Sequence, residues 1–151
     1  YHNRLALPRP DDETLTCLFF SRLLRDADKL DIYRVVTDYY RRPELQGDGW
    51  VAWELPDTPG ISEAVCDDLM TRQVVDNHHV HNLNDFKLLQ VGWVYDLNFT
   101  PSLRRFCERG YLRILREALP DSSRIETIFE KVEAYVAKRM EECANPCEGS
   151  A

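Results

Sequence analysis

Apolar residues recur at three- and four-residue spacing along almost the whole of this 151-residue chain, the period of helices buried on one side. That pattern restricts the fold to an all-α domain of about five to seven helices. It is expected as one unit over residues 1–143, with a frayed tail at 144–151. Pro8 and Pro10 close an extended entry, and Asp11 is placed as an N-cap with Asp12 and Glu13 favourable to the helix dipole. Leu15, Phe19, Leu23 and Leu30 then form one apolar row, while Ile32, Val35 and Tyr39 form another on a different face. A straight helix buried on one side does not change phase in this way. The segment is therefore expected to bend near Asp26–Leu30 or to be buried on two faces, and either puts that stretch deep in the molecule.

Residues 43–60 carry the Pro and Gly punctuation of a long loop, packed down by the apolar segment Trp50–Leu55. Ser62 opens a short helix to about Val74, Asn77–His81 is a turn, and Asn82 with Asp85 resembles a capping box at the head of a helix through Leu97. Thr100 followed by Pro101 begins the next helix, whose buried face is Leu103, Cys107, Tyr111, Leu115 and Leu119, with Gly110 placed to split it. Ser123 and Glu126 cap a last helix carrying Ile125, Phe129, Val132, Val136 and Met140.

Charge narrows the class of partner. With 19 Lys and Arg against 26 Asp and Glu the chain carries a formal −7, which argues against nucleic acid or an anionic membrane as its general partner. No apolar run approaches a membrane span, and the N-terminus has no signal-peptide stretch. The chain does not begin with Met, so a piece of a longer protein is expected. Five scattered cysteines read as reduced residues of a cytoplasmic protein, those at 17, 66 and 107 in the core. Cys143 and Cys147 lack the two further ligands that a zinc site needs.

The stretch that carries chemistry is Leu23-Leu24-Arg25-Asp26-Ala27-Asp28-Lys29-Leu30-Asp31. Three acids fall within six residues between flanks built for burial, and a buried carboxylate needs a cation or hydrogen bonds to compensate it. Asp26 lies on the first apolar row and Asp28 on the second, so periodicity does not choose between them. Ion pairing with Arg25, Lys29 or Arg34 accounts for such a pattern, and so does a metal, although one helix cannot complete a cation's shell.

This motif resembles the closing motif of the HD superfamily of metal-dependent phosphohydrolases. The later block Leu83-Asn84-Asp85-Phe86-Lys87-Leu88-Leu89-Gln90-Val91-Gly92-Trp93-Val94-Tyr95-Asp96 resembles a bacterial branch of HD-domain proteins, and the likeness runs over most of residues 1–120. The resemblance implies an HD-like helical bundle lacking its N-terminal helices, with a divalent metal held by a His, a His-Asp pair and a final Asp. The carry-over of that Asp falls on Asp28, with Asp26 as second choice; His2 resembles an additional histidine near the metal. Such a site hydrolyses a nucleotide or other phosphate ester: the metal activates water and polarises a phosphoryl oxygen, while a cation, here Lys29, steadies the developing charge. No His-Asp dipeptide occurs in the chain, so the implied enzyme is incomplete here and inactive alone. The alternative is a catalytically inactive helical module for interaction or regulation. Loss of several helices also predicts a large exposed apolar patch, which would drive homodimerisation.

Three further features have plain readings. His78, His79 and His81 suit a solvated turn or a helix cap better than a metal site. Arg105, Arg109, Arg113 and Arg116 form a basic stripe on a solvated helix face, with phosphate or an acidic partner as the sharper alternative. Asp96 reads as a buried structural acid, and Tyr39, Tyr40 and Trp93 as core.

Overall fold

The computed structural model describes residues 11–42 and 55–144, and all the regular structure among them is helical. Six α-helices follow in order: α1 (Asp12–Arg41), α2 (Glu63–Met70), α3 (Leu83–Gly92), α4 (Thr100–Glu108), α5 (Tyr111–Glu117) and α6 (Ser123–Ala144). Two 3₁₀ turns, Asn77–His79 and Trp93–Asp96, lie before and after α3. The all-α expectation holds. Of the loop expected over 43–60, residues 43–54 lie outside the described residues, while 55–60 carry no regular structure and Leu55 packs half-buried against the core. Of the tail expected at 144–151, residue 144 still belongs to α6 and 145–151 lie outside the described residues.

The core forms around α3. Leu88, Leu89, Gln90 and Val91 are buried on consecutive positions, so this helix is covered on nearly every side. α6 lays Ile125, Ile128, Phe129, Val132 and Val136 against α2 and α4. Each such side chain contributes about 1.5–3 kcal/mol on burial, which outweighs any difference in helix propensity along this segment. Tyr33 of α1 ties the other side: its hydroxyl donates to the Gln90 carbonyl at 2.7 Å, and its ring meets Trp93, Phe106 and Tyr111 at centroid distances of 5.8, 4.9 and 5.4 Å. Gly92 permits the close crossing of α2 and α3, since a Cβ there would sit 3.0 Å from Leu69 Cδ2. Gly110, at φ +64, turns the chain between α4 and α5 and splits the helix as its sequence suggests.

Several local expectations need revision. α1 is one unbroken helix, started as expected by Asp11, whose carboxylate accepts from the Thr14 amide at 2.8 Å. Its first apolar row is not deep in the molecule, for Leu15, Phe19 and Leu23 are exposed and burial begins only at Asp26. α2 stops at Met70 rather than Val74, because Arg72 takes the left-handed conformation and Asp68 accepts from the Asp76 amide, turning the chain away. The helix expected to reach Leu97 ends at Gly92 and tightens into the 3₁₀ turn. Asn82 caps α3 through the Asp85 amide at 2.9 Å, but the Asp85 carboxylate does not complete the box; it accepts from Ser62 and the His81 amide instead. Cys66 is buried, whereas Cys17 and Cys107 are exposed; Phe106 takes the inward position beside Cys107.

Candidate functional site

The three acids of α1 meet three different environments. The Asp26 side chain points into the body and is 1% exposed. One of its oxygens accepts from the Asn98 amide at 2.8 Å and from Asn98 Nδ2 at 2.9 Å, and the other accepts from the Phe99 amide at 2.9 Å. These donors lie immediately ahead of α4, so a carboxylate 72 residues upstream pins the turn leading into that helix, whose cap position falls on Phe99 rather than on the expected Thr100. Burial alone raises the Asp26 pKa, but the hydrogen bonds from Asn98 and Phe99 outweigh it and hold the carboxyl below its usual value.

Asp28 points the other way. It was expected to face inward, but it is exposed, because two helical positions separate it from Asp26 by about 200° around the helix and the core lies on the Asp26 side. Asp31 is also exposed and pairs with Arg34 at 2.9 Å. Lys29 does not pair with Asp26. It binds Asp96 at 2.6 Å, which Arg25 also reaches, so Asp96 is a half-buried structural acid held by two cations. Burial pushes the Asp96 pKa up, and hydrogen bonds from Lys29 and Arg25 carry it below the ordinary value.

Asp28 has one notable neighbour along the helix. Leu24 lies one turn earlier on the same face and is 69% exposed. Leu15, Leu18, Phe19, Phe20 and Leu23 are also exposed, so the N-terminal half of α1 presents a continuous apolar surface. The expected apolar patch is present, and it lies on the helix that carries the acidic motif.

No three His, Cys, Asp or Glu side chains converge among the described residues. Asp28 alone is one ligand, and Asp26 is saturated by donors that a cation would have to displace. The described residues therefore do not fit a complete divalent-metal centre. His2, the other expected ligand, lies outside them. The later histidines have local partners: His78 bonds Asp76 at 2.8 Å and His79 bonds Asp68 at 2.7 Å, the latter contact raising the His79 pKa. The basic stripe is divided between α4 and α5, where Arg105 pairs with Glu108, Arg113 with Glu117 and Arg116 with Asp121.

Sequence reasoning missed the role of Asn98. An Asn before an apolar residue and a Thr-Pro pair signals a helix start, but the long-range acceptor has no local signature. It also missed Gln90, fully buried on α3, whose Oε1 accepts from Tyr40 while Nε2 has no partner among the described residues. No family model, curated protein or solved structure matches the chain. No helix among the described residues is long and apolar enough to cross a membrane.

Proposed function

We propose that this chain is the C-terminal portion of an HD-superfamily metal-dependent phosphohydrolase, in which Asp28 supplies one metal ligand and the remaining ligands come from a segment packed on the uncovered half of α1. The substrate class is a nucleotide or other phosphate ester. The observation that carries the reading is the placement of Asp28 one turn beyond Leu24 on an exposed face. A helical segment that buries Leu24 would also reach Asp28. The acidic motif, the later block and the missing cover on α1 then have one common explanation.

When bound, the metal would supply an activated water and a polarised phosphoryl oxygen. From this chain, Asp28 offers a carboxylate. Lys29 is turned toward Asp96 and serves to fix α1 against the turn after α3 rather than to meet a phosphoryl group. Asp26 sets the start of α4 and is not a ligand. The portion is inactive by itself.

A second reading, an inactive helical module, is favoured by the commitment of both Asp26 and Asp96 to structural contacts. In that reading the same apolar face of α1 pairs with a second copy.

The experiment is to read the genomic frame upstream of Tyr1, express the polypeptide it encodes, and measure bound divalent metal and hydrolysis of p-nitrophenyl phosphate and nucleotides. The phosphohydrolase reading expects upstream His and His-Asp codons, bound metal, and a loss of about a hundredfold or more in turnover for Asp28→Ala with an unchanged helical spectrum. Absence of those codons, or turnover indifferent to Asp28→Ala, overturns it. A homodimer by light scattering in a polypeptide lacking the codons would then favour the module.

A further inference from the structure

A groove runs between the C-terminal half of α1 and the corner where α4 meets α5. It contains two adjoining cavities of about 300 and 220 Å3. Arg34, Arg109 and Tyr111 line both; Arg105 lines the larger and Arg41 the smaller. Four guanidiniums from α1 and the end of α4 thus line the groove with two carboxylates, Asp31 and Asp38, and Glu108 pairs with Arg105 beside it, in a chain whose overall charge is −7. A local excess of positive charge stands against the sign of the whole molecule.

The groove has fixed and free components. Asp31 holds the Arg34 guanidinium through Nε at 3.3 Å and Nη2 at 2.9 Å, which orients its remaining donors. The guanidiniums of Arg41 and Arg109 have no ion-pair or hydrogen-bond partner among the described residues. Tyr111 is 4% exposed and its ring stacks on Tyr33, itself anchored through the Gln90 carbonyl. The Tyr111 hydroxyl makes no hydrogen bond to a described residue, yet the side chain lines both cavities. The hydroxyl therefore meets solvent, a donor held in place on the wall that two cationic cavities share.

We propose that this groove binds an oligophosphate group, as carried by a nucleoside di- or triphosphate, with a phosphoryl unit in each cavity and, in a triphosphate, a third at the junction between them. Arg34, Arg109 and Tyr111 take the oxygens at the junction, while Arg105 and Arg41 hold the two outer units. Guanidinium suits this task because its planar fork meets phosphate oxygens in pairs. Asp28 lines neither cavity, so the site is separate from the metal ligand proposed above and does not depend on it.

The test is calorimetric titration of the whole chain with sodium tripolyphosphate, pyrophosphate and orthophosphate in EDTA, which removes metal-bridged binding. The expected result is saturable 1:1 binding, tightest for tripolyphosphate and weakest for orthophosphate. Arg109→Gln and Arg41→Gln should each weaken tripolyphosphate by about tenfold without altering the helical spectrum, and Asp28→Ala should not change it. Added salt should weaken binding steadily. Absence of saturable binding, or binding unchanged in Arg109→Gln, overturns the site and leaves the arginines as counter-charges to helix ends. Orthophosphate bound as tightly as tripolyphosphate overturns the two-cavity occupant.

Discussion

The two halves of α1 share one helix and one style of sequence but differ in what surrounds them. From Asp26 onward the inward positions, Tyr33, Val36 and Thr37, are closed over by α3, α4 and α5. Before Asp26 the same face continues through Leu15 and Phe19, both exposed; among the described residues Phe99 meets the Phe19 ring at a centroid distance of 5.3 Å. Apolar spacing records that a face was built for burial; it does not say which segment does the burying. The difference lies in what each half of the helix meets among the described residues, not in its own spacing.

The sharpest way to break that comparison is to truncate one aromatic in each environment. Phe106→Ala, inside the core against Tyr33, should cost about 4 kcal/mol in chemical denaturation, whereas Phe20→Ala on the exposed half should change stability by less than about 0.5 kcal/mol. Equal losses would mean that the first half of α1 is covered in solution. Next in size is the contrast within the acidic motif. Asp26→Ala leaves the amides of Asn98 and Phe99 without their acceptor and should cost about 3 kcal/mol, while Asp28→Ala should lie within about 0.5 kcal/mol of wild type. A large loss at Asp28 would place that residue in a structural contact instead.

The smallest effect is the acid response. Asp26 and Asp96 both have lowered pKa values in the folded state, so each contributes stability that is complete above the unfolded carboxylate value near 3.8. That stability is lost as pH falls through the lowered values. Thermal melts should therefore show little change from these groups between neutrality and pH 5 and a decline below pH 4, shallower in Asp96→Asn. A decline of the same steepness in that variant would remove Asp96 from the account.

Much of the fold was legible in the sequence because its causes are local. The caps at Asp11 and Asn82, the break at Gly110 and the inward face of α6 all follow from spacing and residue type. The site was less legible. Periodicity left Asp26 and Asp28 undecided, since both lay in line with apolar residues; only the position of Asn98, brought close by the tertiary fold, distinguishes them. The change of apolar phase along α1 falls where this continuous helix passes from exposed residues into a stretch covered on both rows, with Tyr33 and Thr37 buried on one and Ile32, Val35 and Tyr39 half-buried on the other.

The reach of Asp26 across 72 residues has a consequence for how the molecule assembles. The turn leading into α4 takes its acceptor from α1, so it is completed only after a long loop closes, and the entropy of that closure is spent before the contact can form. A chain cut between the two helices would leave the amides ahead of Thr100 without their acceptor, linking one end of the sequence to the order of the middle.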